Sequence, residues 1–390
     1  MTTPTHHLAA ITPAKGAPFT LQTRITPKPG PDELLIAVKS VALNPADTIM
    51  RDEGLFIPDT QYPTVVGFDI SGVVLEVGEN VPIGPIAITT LTATPDKNPS
   101  PYFPPGTRIA AYSAFVWKSC SPDYGAFQER CLVPWQHAMP VPNHISWNEA
   151  ATLPVAGAVA LNAWDIMGIP RVGSAPDPAY PSSGSEKPSH KREALLIWGA
   201  SSSVGSMGVQ TARLLREDPA SSFAAVYATA GAANQMYVAE LGADRVFDYN
   251  APGVVESIVN AAREDELVVR CCFLATGEVG GCQGVVRAFV GEGEGMGMGK
   301  IASAPRIPVD VKEVEGVEVI FLMPSMEEGE RKAQFRYWLG TAMRGGLGSG
   351  AIRPSPGVRV VGRGLAALNE GLDLLQRGVS CVKLVVEVAE

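Results

Sequence analysis

The chemistry-bearing stretch of the chain is Leu195-Leu196-Ile197-Trp198, then Gly199-Ala200-Ser201-Ser202-Ser203-Val204-Gly205, then Ser206 through Leu215. An apolar run, a turn of small residues and a longer run with small residues on it read as a buried strand, a tight turn and a helix. Small side chains let backbone approach a ligand closely. The first N–H groups of the helix and the positive end of its dipole complement negative charge. Such a turn suits the pyrophosphate of a dinucleotide. Two further runs strengthen this reading: Phe223 to Ala230 reads as a second strand, and Gly242 to Tyr249 as a third.

The elements that must position this turn come in two kinds. From about Leu34 to Val141 the chain is a series of short apolar runs broken by Gly, Pro and Asp, among them Glu33–Lys39, Gly72–Val77 and Arg108–Tyr112. That pattern predicts a β-rich domain. From Leu195 onward strands alternate with helices, with Gln235–Leu241 as a helix and Leu267–Leu274 as a buried strand. The alternation predicts an α/β fold with a doubly wound parallel sheet. Leu365–Gln376 and Cys381–Val388 read as a closing helix and strand that return to the first domain. Pro82–Pro105 and Arg171–Arg192 read as surface insertions. Gly291–Gly299 reads as a flexible turn, because its two acids would repel a phosphate.

With 390 residues, 46% hydrophobic and 18% charged, the chain can bury two substantial cores. A net charge of −9 and the absence of a Lys/Arg run argue against nucleic acid as a partner. No apolar run reaches the roughly 18 residues expected of a membrane span. The N-terminus lacks the charged and apolar regions of a secretory signal, so a cytoplasmic location is expected. Six cysteines without a Cys-x-x-Cys pair predict buried free thiols. The five histidines, at 6, 7, 137, 144 and 190, sit in loop-like or terminal contexts, which favours solvent-facing positions.

An ordered set of motifs runs through the chain: Asn44-Pro45-Ala46-Asp47, Gly67-Phe68-Asp69, Gly125-Ala126-Phe127, Leu153-Pro154, the Gly199 turn, Leu241–Asp244, Val246–Tyr249 and Lys383–Val386. This set resembles the medium-chain dehydrogenase/reductase superfamily. Within it the chain is most similar to the fungal trans-acting enoyl reductases that serve polyketide synthases and polyketide/nonribosomal peptide hybrid synthases. The resemblance implies a GroES-like β-rich substrate domain over 1–160, a Rossmann nucleotide domain over 161–325 and a return to the substrate domain over 326–390, with the active site between them.

Zinc-dependent relatives carry a Cys near Asn44 and Gly-His-Glu where this chain has Gly67-Phe68-Asp69, so no metal is expected. NAD-binding folds place an acid at the end of the second strand. Here Ala228 to Asn234 contains none, which favours NADPH, although no Lys or Arg stands in that stretch for the 2′-phosphate. The resemblance implies that Ser201, Ser202, Ser203 and Val204 take the pyrophosphate. It places Gly231, Ala232, Ala233 and Asn234 around the 2′-phosphate and Tyr249 along the adenosine side. Ser303, Ala304, Val379 and Ser380 would lie toward the nicotinamide, with Ala46, Asp47, Thr48 and Ile49 from the first domain. The residues expected to face an acyl chain are Val159, Ala160, Leu161, Asn162, Ala163, Trp164, Asp165 and Ile166.

The implied reaction is reduction of an α,β-unsaturated thioester on a carrier-bound polyketide, with a synthase as partner and a monomeric enzyme. Without a metal, hydride addition to the β-carbon leaves an enolate for hydrogen bonds to stabilise. The similar reductases often carry Lys at the position of Ile49 and Thr at that of Val159, and an Ile donates no hydrogen bond. Either backbone N–H groups with Thr48 or Tyr112 supply that contact, or the substrate differs, and the catalytic residue stays unassigned. Two other readings stay open at this point: a stand-alone enone or quinone reductase, and a catalytically silent NADPH-binding partner of a synthase.

Overall fold

The computed structural model describes residues 5–84, 101–173, 192–291 and 298–388. Most of the Pro82–Pro105, Arg171–Arg192 and Gly291–Gly299 stretches, with His190, lies outside these residues. The chain forms two compact units, one of Met1–Ala158 with Ser325–Glu390 and the other of Val159–Pro324.

The second unit is built on six parallel strands. Their order across the sheet is Arg245–Phe247, Phe223–Thr229, Glu193–Trp198, Val268–Leu274, Gly299–Ser303 and Val317–Phe321. Numbered along the chain within this unit, that order is 3-2-1-4-5-6, the dinucleotide-binding arrangement. Leu195, Leu196 and Ile197 are fully buried because a parallel strand is covered on both faces. The order reverses between Glu193–Trp198 and Val268–Leu274, which opens a crevice at their carboxyl ends, where Gly199 and Ala275 begin the loops.

The first unit carries a seven-stranded sheet, in which Gly357–Arg363, Val382–Glu387, Glu33–Ala42, Asp69–Val77, Arg108–Tyr112 and Ala138–Pro140 lie side by side and Arg130–Pro134 pairs with Glu33–Ala42. A separate hairpin pairs His6–Ile11 with Thr20–Ile25. The closing strand Val382–Glu387 pairs antiparallel with Glu33–Ala42, as Val385 opposite Ala42. The closing strand therefore returns to the sheet that Glu33–Ala42 begins.

Three departures from the sequence reading have physical causes. Trp147–Met167 is long and apolar enough to cross a membrane by length and composition, yet 83% of its most apolar window is buried within the fold, as suits a core segment. His7 and His137 are buried at 4% and 1% exposure instead of facing solvent. His7 lies in a strand and bonds Gln128 Oε1 through Nε2 at 2.9 Å, and His137 stacks on Phe335 with ring centroids 3.9 Å apart. Finally, the third strand of the parallel sheet is only Arg245–Phe247, and Tyr249 lies beyond it. The six cysteines are free; Cys120, Cys131, Cys272 and Cys282 are buried, while Cys271 and Cys381 are half-buried.

Candidate functional site

In the second unit the first strand ends at Trp198, and Gly199 turns the chain with φ +77°. A Cβ on Gly199 would lie 2.4 Å from Thr276 Cγ2, so the left-handed turn and the close approach both require glycine there. Thr229, at the end of the neighbouring strand, holds the turn: its Oγ1 accepts the Gly199 N–H at 3.0 Å and its carbonyl accepts the Ala200 N–H at 2.8 Å. The helix Ser203–Glu217 follows, capped by Ser202, whose Oγ accepts the Gly205 N–H at 3.1 Å. A Cβ on Gly205 would meet the Gly199 carbonyl oxygen at 2.4 Å, so the helix start packs directly against the turn. The N–H groups of Ser203 and Val204 have no helical carbonyl to bond, as in any first turn, and they stand at the positive end of the helix dipole.

Beside this turn, Gly231, Ala232, Ala233 and Asn234 form the loop after the second strand, with Ala232 and Ala233 exposed. Asn234 Nδ2 reaches Ser201 Oγ at 3.5 Å. A Cβ on Gly231 would lie 3.3 Å from the Tyr249 hydroxyl and 3.8 Å from Asn250 Nδ2. Tyr249 is 43% exposed. The structure thus gathers Ser201, Ser202, Ser203, Val204, Gly231, Asn234 and Tyr249 around one turn. Ser303 ends the fifth strand, buried, with its hydroxyl donating to the Pro305 carbonyl at 2.8 Å, and the Ala304 N–H bonds the Leu274 carbonyl at 2.9 Å. The shape and donor set of this cradle fit a dinucleotide pyrophosphate.

The residues expected along an acyl chain all fall in the helix Leu153–Met167. Two of them are held by structural partners inside the second unit. Trp164 Nε1 donates to Thr211 Oγ1 at 3.0 Å and its ring meets Phe273 edge-on, while Asp165 pairs with Arg171 at 2.7 Å. Ala160 and Ala163 are fully buried, Leu161 and Asn162 are buried, and Val159 and Ile166 are half-buried.

In the first unit, Asn44 precedes the helix Pro45–Glu53, which carries Ala46, Asp47, Thr48 and Ile49. Asp47 Oδ2 accepts the Asn44 N–H at 2.8 Å, which satisfies a donor at the helix start. Asn44 Nδ2 donates to Asp69 Oδ2 at 3.0 Å, and Lys383 Nζ donates to Asn44 Oδ1 at 2.6 Å and lies 3.3 Å from Asp69 Oδ2. Asp69 Oδ1 accepts the Val155 N–H at 2.8 Å. The Lys383 ammonium thus pairs with the buried Asp69 carboxylate, and Asn44 bridges the two. Burial lifts Asp69 above the usual carboxylate range against the pull of Lys383. Burial also raises Asp47, to about 7, against its Asn44 hydrogen bond and with the Asp69 charge adding to the rise. Asp47 Oδ1 and Thr48 Oγ1 are both sealed from solvent without a partner.

Opposite Asp69 in the sheet register stands Tyr112, whose ring packs against Phe68, Trp117 and Phe335. His137 lies in the same aromatic cluster, and burial together with Arg331 drives its pKa down to about 3, so it is a neutral ring at physiological pH. No group of His, Cys, Asp and Glu among the described residues is arranged to hold a metal ion. Val379 and Ser380 precede the strand Val382–Glu387, with Ser380 exposed.

Residues 30–143 match the family model described as the alcohol dehydrogenase GroES-like domain. The trans-enoyl reductase tndF of Aspergillus flavipes is 36% identical over 384 residues, which cover 97% of this chain and 98% of that protein. The chain belongs to the trans-enoyl reductases of the medium-chain dehydrogenase/reductase superfamily. A second trans-enoyl reductase, tazE of Aspergillus terreus, is 37% identical across 83% of this chain and 93% of its own length. Among solved structures, the CurK enoyl reductase shares the fold with a TM-score of 0.66 at 14% identity, covering 99% of this chain and 100% of that one.

The residues that brace these sites and that sequence reasoning left out are Asn44, Asp69, Lys383 and Thr229. Signals for two of them exist in the sequence. Asn44 followed by Pro45 and, three residues on, Asp47 is a helix-start pattern. Lys383 is a lone charge in the apolar run Cys381–Val386, and a strand of that composition buries such a charge only with a partner.

Proposed function

We propose that this trans-enoyl reductase uses NADPH to reduce the α,β-unsaturated thioester of a carrier-bound polyketide intermediate, in trans with a polyketide or hybrid synthase. The similarity to trans-enoyl reductases over nearly the full length of both chains carries this reading. The 3-2-1-4-5-6 sheet and the Gly199–Gly205 turn supply the dinucleotide cradle that the reaction needs. When bound, the nicotinamide supplies the hydride.

The chain's own residues bind and orient. The first-turn N–H groups of Ser203 and Val204 and the dipole of their helix favour the pyrophosphate charge. NADPH is preferred over NADH because the second strand ends at Thr229-Ala230-Gly231 without a carboxylate for a ribose 2′-hydroxyl. The Tyr249 hydroxyl and the side-chain amides of Asn234 and Asn250 offer neutral donors beside Gly231 for a 2′-phosphate. We place the helix segment Val159–Ile166 along the acyl chain, with Trp164 and Asp165 anchoring it through Thr211 and Arg171, and Ala46–Ile49, Val379, Ser380, Ser303 and Ala304 toward the nicotinamide. The same reading makes the protein a cytosolic monomer.

The test is NADPH oxidation with a panel of enoyl thioesters of increasing acyl length, run beside NADH and with and without a chelator. Oxidation that prefers NADPH, rises with acyl length and ignores the chelator supports the proposal. NADPH binding without oxidation of any thioester, together with altered product from a synthase, would turn the assignment toward a silent partner. Efficient turnover of simple quinones without a carrier would turn it toward a stand-alone reductase.

A further inference from the structure

Reduction of an enoyl thioester puts negative charge on the thioester oxygen, and a donor fixed in advance stabilises that charge more than water does. Ile49 donates nothing. Several other side-chain hydroxyls of the first unit are committed or sealed. Ser113 Oγ donates to the Tyr124 carbonyl at 2.6 Å, and Tyr124 donates to Glu33 Oε1 at 2.7 Å. Thr48 Oγ1 and the Tyr62 hydroxyl are enclosed without solvent contact. Lys383 is bound to Asn44 and Asp69.

Tyr112 differs from all of these. It ends the strand Arg108–Tyr112, opposite Asp69. Its ring is held on three sides by Phe68, Trp117 and Phe335, with centroids at 5.5, 6.0 and 5.0 Å. The residue is only 8% exposed, yet its hydroxyl makes no hydrogen bond among the described residues and is not one of the sealed polar atoms. A buried phenol normally finds a partner. Here the ring is fixed by packing and the hydroxyl is left for something that arrives.

We propose that the Tyr112 hydroxyl is a catalytic residue, the hydrogen-bond donor that meets the thioester carbonyl oxygen and holds the enolate oxygen during the reduction. The assignment rests on the enoyl reductase reading above. When hydride adds to the β-carbon, the electron pair of the C=C bond shifts to form the double bond between the α-carbon and the carbonyl carbon. The carbonyl π pair moves onto oxygen, where the phenol shares its proton without giving it up. A proton from water then adds to the α-carbon, and the C=O bond is restored. A neutral phenol suits this role. Burial and the nearby Asp69 and Asp47 charges push Tyr112 above the ordinary phenol range, so the donor stays protonated.

Tyr112→Phe tests the assignment, because it keeps the ring contacts and removes a hydroxyl that bonds no other described residue. The probe is a cinnamoyl N-acetylcysteamine thioester labelled with ¹³C at its carbonyl. Its carbonyl stretch is read by infrared difference spectroscopy on the full chain, beside NADPH binding, melting temperature and turnover. The expected result is a downshifted stretch in the wild type that returns to the solution value in Y112F. Turnover should fall roughly 10²–10³-fold, as for other lost oxyanion donors, with NADPH affinity and melting temperature unchanged. Replacing Tyr112 by 3-fluorotyrosine, a stronger donor, should shift the stretch further, and this arm stands even if Y112F folds poorly. An unchanged stretch in the fluorinated protein, or a Y112F protein with wild-type stretch and turnover within about threefold, would overturn the proposal. A wild type that binds NADPH but leaves every enoyl thioester unreduced overturns the parent reading and this assignment with it.

Discussion

Lys383 Nζ and Asp69 Oδ2 lie 3.3 Å apart at 4% and 0% side-chain exposure, with Asn44 bonded to both. The last strand of the chain thus supplies the cation for an acid near its beginning. Removing one partner of such a pair leaves an uncompensated buried charge, at a cost of about 3–5 kcal/mol. Lys383→Met should therefore lower stability by that order in a denaturant titration. Lys383→Met with Asp69→Leu should recover a substantial part of it. A double variant no more stable than K383M would show that the pair is not coupled.

Asp47 makes stability depend on pH. Its carboxyl titrates at about 7 in the fold against a reference of 3.8. Between those values the folded protein binds a proton that the unfolded chain does not, so stability falls as pH rises. At 1.36 kcal/mol per unit the loss is on the order of 4 kcal/mol. His137, lowered from 6.5 to about 3, opposes it, because protonation of the unfolded chain withdraws stability as pH falls below about 6.5. Asp47→Asn removes the first slope alone, so its stability relative to wild type should rise steadily from about pH 4 to about pH 7. A constant difference across that window would mean that Asp47 is ionised throughout.

Gly205→Ala should damage the nucleotide turn, because the new methyl would lie 2.4 Å from the Gly199 carbonyl oxygen and backbone must move. NADPH affinity should drop by about tenfold or more, about 1.4 kcal/mol. A fluorescence titration with unchanged affinity would show that the turn does not bind the cofactor.

Thr229→Val keeps the shape of the side chain and removes the acceptor for the Gly199 N–H. A buried donor left unsatisfied costs about 1–3 kcal/mol. The melting temperature should fall accordingly, and hydrogen exchange at Gly199 should quicken. Protection at Gly199 equal to wild type would mean that another acceptor takes over.

Trp164→Phe discriminates a core role from a substrate-lining one. The variant loses the bond to Thr211 and part of the contact with Phe273, which should cost about 1–3 kcal/mol of stability. Its preference among acyl chain lengths should stay that of the wild type. A shifted preference with unchanged stability would instead place Trp164 against the substrate.

Much of the fold was legible because it rests on local pattern. Leu195–Trp198, Phe223–Thr229 and Val268–Leu274 are apolar runs that only a covered parallel sheet can bury, and the small residues from Gly199 to Gly205 can follow such a strand as a tight, ligand-facing turn. Ser201–Val204 accordingly stand where that pattern puts the turn and the helix start, while Gly231–Asn234, which the resemblance supplied, follow the second strand. The burial of His137 was not legible, because its partner Phe335 comes from a helix far along the chain.

The sequence by itself determined the strand and helix periods, the glycines demanded by backbone geometry, and the absence of an acid after the second strand. Tertiary structure alone decided that Asn44, Asp69 and Lys383 share one buried site and that the Tyr112 hydroxyl bonds no other described residue. The physical reason is range: periodicity and turn chemistry act between neighbours in the chain, whereas desolvation and charge pairing depend on whatever the fold brings within a few ångströms.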